Sequence, residues 1–385
     1  MSNESKISPN ILLLGVVSFL NDLSSEIIMP ILPMFIASLG GAGIAVGLIG
    51  GVRDSVTSML KVVSGYISDK TGKRKGLVFF GYFSSSIFKA FMAFSAIWQH
   101  VLVFIGLERI GKGMRDAPRD AIIAESMPEA KGKGFGIHRA FDTTGAILGS
   151  IVSFILFWYM GLTFRAIILI AAVIAFTSLV PLYFVKEHGV QKKDITLKVT
   201  LFDLPKKLKL FLVISAIFSM ANFSYMFFIL RAQDLFYGKY AATVAILLYI
   251  LFNIFYAGFS VPLGYLSDKI GRKKVLLAGY ALFCATSLGF AFFHSIAAYI
   301  LLFALYGIVN AMIDANQRAF VADLSKGHAK GTSLGAYYAI VGLVALPASF
   351  LAGIIWQYAP AATFFYGAFV SAFAVAVFFI KRDQL

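Results

Sequence analysis

Apolar residues run in long blocks separated by short polar stretches, and a helix needs about 20 such residues to cross a bilayer. Twelve blocks approach or exceed that length: 10–38, 43–68, 76–98, 100–127, 134–157, 164–185, 209–236, 240–266, 275–293, 296–324, 332–356 and 362–380. The pattern predicts an all-α integral membrane protein with twelve transmembrane helices. One block is anomalous. The stretch LERIGKGMRDAPRDA, residues 107–121, carries Glu108, Arg109, Lys112, Arg115, Asp116, Arg119 and Asp120. At 3.6 residues per turn these charges share an arc of about 140°, with Ile110, Met114, Ala117 and Ala121 opposite. The neighbouring blocks require this segment to cross, so its charged face must turn to protein or water. Pro118 inside it predicts a kink or an interruption.

Composition agrees with the pattern. The 385 residues are 59% hydrophobic and only 14% charged, and the mean hydropathy is +0.83. The net charge of +15 would suit a polyanion, but its placement says otherwise. With the N-terminus inside, the loops 69–75, 128–133, 186–208, 267–274 and 325–331 and both tails hold most of the 34 Lys and Arg. The opposite loops hold Arg165 and Lys239. This positive-inside bias places both termini on the cytoplasmic side of the cytoplasmic membrane and removes the case for nucleic acid. The single cysteine, Cys284, provides neither a disulfide nor a cysteine metal site. The first block carries Asp22 and Glu26 and no small-residue cleavage site, so it reads as a retained span.

The chain also repeats itself. GYISDKTGKRKG at 65–76 returns as GYLSDKIGRKKV at 264–275, each between the second and third spans of a six-span half. This divides the chain into an N-terminal bundle, 1–185, a cytoplasmic linker, 186–208, and a C-terminal bundle, 209–385, with a site between repeats. These residues resemble the loop signature of the major facilitator superfamily, G-x-x-x-D-x-x-G-R-[RK]. Gly65, Asp69, Gly72, Lys73 and Arg74 match it once, with Lys73 where Arg is usual; Gly264, Asp268, Gly271, Arg272 and Lys273 match it again. Arg109 and Gly113 resemble the superfamily's R-x-x-x-G motif. Gly136, Gly145 and Gly149 have the spacing of the drug/proton antiporter glycine motif, with Ser150 where proline is expected. The resemblance implies two pseudo-symmetric six-helix bundles and alternating access. It also implies a cytoplasmic latch in the repeated loops and a cavity lined by the first, fourth, seventh and tenth spans.

The cavity reading assigns the remaining charges. Asp22 and Glu26, four apart on the first span, and His138 and Asp142 on the fifth are candidate proton-coupling groups. Lys61, Arg109, Lys112, Arg115, Asp116, Arg119 and Arg139 form the candidate charge network. Pairing the fourth and fifth spans puts Arg119 level with Asp142 and Asp22, and Arg115 with Glu26. The bland alternative is a salt-bridge network that only fixes the bundle, and it is favoured for Glu108 and Asp120. Lys89 on the third span has no place in this scheme. The C-terminal half offers Asn222, Tyr225, Asn310, Asp314, Gln317 and Arg318 as substrate-cavity candidates, with Phe218, Phe223, Tyr249 and Phe252 as an aromatic wall.

The expected function is secondary active transport of a small organic molecule by a monomer, coupled to protons, without cofactor or metal. Efflux is favoured by the glycine motif. The alternative is uptake or exchange of an anionic metabolite, suggested by the excess of cations near the cavity. A membrane enzyme is remote, because no Ser-His-Asp or HExxH arrangement occurs and the halves repeat.

Overall fold

The computed structural model describes residues 7–187, 204–325 and 330–385. The expected linker falls largely on 188–203, outside the described residues. Within the described residues the structure is helical, without strands. Ten helical stretches are long and apolar enough to cross a membrane. Two further helices, Gly43–Thr71 (α3) and Trp98–Ser126 (α5), have 29 residues each and match the predicted spans 43–68 and 100–127. They have the length to cross; their charges keep them from reading as apolar.

The first span differs from the sequence expectation. Block 10–38 is two helices, Pro9–Ile28 (α1) and Leu32–Ser38 (α2), separated at Met29–Ile31. Pro30 lies in the gap, where its missing N–H and fixed φ disfavour a continuous helix. The helices Arg74–Ala93 (α4) and Lys131–Phe154 (α6) follow the predicted third and fifth spans. A π-helical turn, Ile155–Tyr159, closes the fifth. Phe164–Thr177 (α7) and Leu179–Tyr183 (α8) make the sixth, and Thr163 caps it by accepting from the Ala166 N–H at 3.4 Å. Of the kink or interruption expected at Pro118 the interruption is absent: α5 runs through it as one helix.

The seventh span is also broken, into Lys206–Ala221 (α9) and Met226–Gln233 (α10), with Asn222–Tyr225 between. No proline is present here. The freed Ser224 N–H instead donates to Ser349 Oγ at 3.1 Å. Gly238–Ile270 (α11), Arg272–Phe292 (α12), Ile296–Leu324 (α13), Lys330–Tyr358 (α14) and Pro360–Lys381 (α15) complete the chain.

By packing the chain forms two compact units, one of residues 1–32 and 56–197, the other of 33–55 and 198–385. In the first, α6 lies along α1, α5 along α4, and α7 against both α4 and α1. Leu14, Val17, Val78, Tyr82, Ile122 and Ile123 fill its core. The α1–α6 contact depends on two glycines. A Cβ on Gly145 would meet the Phe19 carbonyl oxygen at 2.6 Å, and one on Gly149 would meet Glu26 Cβ at 2.8 Å. A Cβ on Gly136, third member of the motif, would meet nothing within 4 Å from another element among the described residues.

In the second unit α11 lies along α13, α12 against α15 and α13, and α9 against α15 and α14. Its core is aromatic: Phe218 stacks on Tyr280 at 3.8 Å between centroids and Phe228 on Tyr306 at 4.2 Å. Phe218 and Phe223, offered above as cavity wall, are fully buried here. The start of α3 belongs to this unit, where Gly43, Gly47 and Gly51 sit against the backbone of α14.

Close approach at Gly145 and Gly149 yields a prediction. Overpacking a tight contact costs about 1–3 kcal/mol, so Gly149→Leu should lower the unfolding midpoint in detergent well below that of Gly136→Leu. Equal midpoints would remove close packing as the reason for these glycines.

Candidate functional site

The first unit gathers ionisable side chains from α1, α3, α4, α5 and α6 into its interior. Six of the seven charges of the 107–121 stretch are buried or half-buried and the Asp120 side chain is 48% exposed, while Ile110 across the helix is 37% exposed. Glu108, Arg109, Arg115 and Asp116 are buried. Hydrocarbon tolerates such groups only when they are paired and hydrogen-bonded, and the partners are specific. Glu108 bonds Arg109 Nε at 2.8 Å and accepts from Ser85 Oγ at 2.7 Å. Asp116 pairs with Lys61 at 3.1 Å and Arg119 at 3.9 Å. Arg115, 1% exposed, lies over the Tyr82 ring at 4.0 Å. His138 Nδ1 is 3.6 Å from Asp142 within α6.

Two expected pairings are corrected. Arg119 does not meet Asp142 or Asp22; it bonds Asp120 at 2.9 Å, lies near Asp116, and donates to Ser18 Oγ at 3.4 Å. Arg115 faces Tyr82, not Glu26. The cause is helix pairing. The principal neighbour of α5 is α4, while α6 packs on α1, where the Gly149 contact draws Glu26 towards α6. Arg139 is exposed on α6, and Lys112 is half-buried on α5. Asp22 accepts from Asn21 Nδ2 at 3.5 Å and forms no ion pair among the described residues. The fields of Asp142, Lys112, Arg115 and Arg119 all reach it. Lys89 also finds its place: buried against α1, it donates to Ser24 Oγ at 3.1 Å and Ser25 Oγ at 2.9 Å.

The repeated loops form a clasp in each unit. Arg74, 5% exposed, bridges Asp69 at 3.6 Å and Glu125 at the end of α5. Arg272 bridges Asp268 at 3.1 Å and Asp323 at the end of α13 at 2.6 Å. The second glycine makes the turn in both, with φ +68° at Gly72 and +97° at Gly271, a region costly for other residues. The first glycines contribute no close approach among the described residues: a Cβ on Gly65 would make one ordinary contact, and one on Gly264 none within 4 Å. Glu187 accepts from the Arg74 N–H at 2.6 Å and the Lys75 N–H at 3.3 Å, satisfying the exposed start of α4. Glu125 and Asp323 were missed in the sequence. Their signal was a further echo, RDAPRDAIIAE at 115–125 against IDANQRAFVAD at 313–323, which also sets Asp116 opposite Asp314.

In the second unit the candidates separate by helical phase. Asn310, Asp314 and Arg318, four apart, share one face of α13, and Asp314 bonds Arg318 at 3.3 Å. Asn310 donates to the Tyr306 carbonyl at 2.9 Å. Gln317 lies off that face. It is buried between Tyr280 and Tyr337 with bonds of 2.6 Å to each hydroxyl, and belongs to the core. Asn222 is exposed and Tyr225 half-buried at the α9–α10 break. Tyr225 carries Arg53 5.0 Å above its ring, and Arg53 pairs with Asp54 at 3.4 Å. Those two charges of α3 were not singled out in the sequence, although they sit in an apolar block.

Membrane-length helices, broken first and seventh spans and charges buried among the helices describe a multi-pass helical membrane transporter. The chain belongs to the Major Facilitator Superfamily, whose model matches residues 14–241 and 212–384. An uncharacterized MFS-type transporter of Methanocaldococcus jannaschii is 55% identical over 369 residues, 95% of this chain and 93% of that protein. Multidrug resistance protein MdtG of a Rahnella species is 28% identical over 307 residues, 73% of this chain and 72% of that one. Among solved structures, the nucleoside transporter NupG aligns with TM-score 0.79 at 13% identity, over 97% of this chain and 98% of that chain. The POT family transporter PepTSo aligns with TM-score 0.80 at 13% identity over the same shares. These structures share the fold.

The ion pairs differ in worth, and this can be measured. Removing one partner of a buried pair costs about 3–5 kcal/mol, whereas exposed pairs are worth about 0–1 kcal/mol. Glu108→Gln should therefore strongly lower the yield and unfolding midpoint of the solubilised protein, and Asp383→Asn, whose pair with Arg382 is exposed, should not. Equal midpoints would show that Arg109 and Lys89 do not depend on Glu108.

Proposed function

We propose that this chain is a proton-driven secondary transporter that exports a small organic molecule across the cytoplasmic membrane by alternating access, with both termini cytoplasmic. It works as a monomer whose partners are substrate, protons and lipid. The observation that carries the coupling is Asp22. It feels the field of the Asp142 carboxylate and those of Lys112, Arg115 and Arg119, yet forms an ion pair with none of these cations among the described residues. Such a carboxylate can exchange a proton or a partner as its surroundings change. It lies on α1, seven residues before the break at Met29, so a rearrangement there is felt at the carboxylate. Glu26, His138 and Asp142 line the adjoining α1–α6 contact and complete the coupling group. The multidrug resistance relative supports export of a drug-like compound.

The clasps are read as the cytoplasmic latch, with Asp69 and Asp268 the carboxylates that open and close. A second reading, exchange of an anionic metabolite, is favoured by Lys112, which like Asp22 forms no ion pair among the described residues. Uptake into oriented vesicles under imposed pH gradients, with cationic and anionic test compounds, separates the two readings.

Two variants test the proposal. Asp22→Asn should fold and bind substrate but lose accumulation driven by a pH gradient; intact pH-driven transport in this variant would remove Asp22 from the coupling. Asp69→Asn should slow transport more than Lys70→Ala, since among the described residues Lys70 reaches only Tyr66, at 3.3 Å on the surface. Equal rates at equal expression would count against the latch.

A further inference from the structure

The wall of the second unit carries a binding arrangement that the coupling group does not use. On α11 the rings of Tyr249, Phe252 and Tyr256 follow one another at three- and four-residue spacing, with centroids 5.6 Å and 6.0 Å apart and near-parallel planes. Tyr225, at the α9–α10 break, continues the row at 5.6 Å from Tyr249. Tyr306 backs it from α13, 5.0 Å from Phe252. Tyr225, Phe252 and Tyr256 are half-buried, so ring surface remains uncovered. Partly uncovered rings at this spacing offer another flat ring an offset-stacked or edge-to-face partner.

One end of the row is charged. Tyr256 donates from Oη to Asp314 Oδ2 at 2.8 Å, and Asp314 pairs with Arg318 at 3.3 Å. The two side chains are 53% and 39% exposed on a helix whose only other charged residue is Asp323 at its end. Exposure at that depth means contact with an aqueous space, because lipid would not accept either group. Both members of the pair are partly exposed, so a ligand can compete for either one. A ligand with one charge would leave the other member uncompensated. A ligand with an ammonium and a carboxylate would meet Asp314 and Arg318 at once and keep the balance, with the guanidinium fork suited to the carboxylate.

From this we infer that the α11–α13 wall binds a small aromatic zwitterion: ring on the Tyr225–Tyr256 row, ammonium at Asp314, carboxylate at Arg318. The inference rests on the reading of the chain as a transporter of small organic molecules and names the substrate class.

The test is a binding measurement on the purified, solubilised full chain, with L-tryptophan as probe. Three analogues each lack one element: tryptamine the carboxylate, indole-3-propionate the amine, and L-leucine the ring. L-Tryptophan should raise the unfolding midpoint at millimolar concentration, and each analogue should bind at least about tenfold more weakly, as expected for one lost stack or charge-assisted contact. In Arg318→Gln the advantage of L-tryptophan over tryptamine should vanish; in Phe252→Leu the advantage over L-leucine should shrink. Absence of L-tryptophan binding, or tryptamine or L-leucine binding as tightly as L-tryptophan in the unmodified chain, overturns the inference without any variant having to fold. The measurement uses no proton gradient. Selective binding without pH-driven movement in vesicles would defeat the proposed coupling alone, and pH-driven transport of other compounds without this selectivity would defeat the zwitterion site alone.

Discussion

An ionised side chain cannot face hydrocarbon unpaired, and much of the first unit follows from that. The α5 segment carries seven charges across the apolar layer, so the helices around it must supply counter-charges, hydroxyls or ring faces. Ser85, Ser24, Ser25 and Tyr82 do this work next to Glu108, Lys89 and Arg115. The arrangement is asymmetric: acids and bases are mostly matched locally, within α5 or to a neighbouring helix. Asp22 and Lys112 are left facing the cluster without a direct ionic partner among the described residues.

The two clasps show one device built twice with different spacing. In the first the guanidinium comes from Arg74, five residues after Asp69; in the second from Arg272, four after Asp268. Both reach an acid at the end of the helix two further along, Glu125 or Asp323. The chain kept the bridge and moved the arginine by one position. Arg74 is the more buried of the two, and its backbone is further held by Glu187.

Backbone groups are released from helical pairing at two places. The first and seventh spans are interrupted, at Met29–Ile31 and at Asn222–Tyr225, and each interruption lies near the groups to which a role is given. The first follows Asp22 and Glu26; the second presents Tyr225 to the aromatic row. Broken helices are tolerated at membrane depth only where protein or an aqueous cavity meets the freed N–H and C=O groups. Ser349 does so for Ser224.

The sequence by itself determined the membrane-spanning helices, the repeat, the turn glycines and the inward direction of the α5 charges, because hydropathy, spacing and helical period are local properties. It also pointed to Asp314 and Arg318, four apart on one face. What it left open was which helix lies against which. Pairing α5 with α6 by connectivity put Arg119 opposite Asp142. The glycines of α6 instead took α1 as partner and left α5 to α4, which moved Glu26 away from Arg115 and gave Arg119 to Asp120. Gln317 was misplaced for a related reason: one residue of helical rotation separates it from Arg318, and only the packed neighbours Tyr280 and Tyr337 decide that it faces the core. Side-chain partners are a property of tertiary packing, since contacts between distant segments depend on the shape of both surfaces, and neither surface is written in the other's sequence.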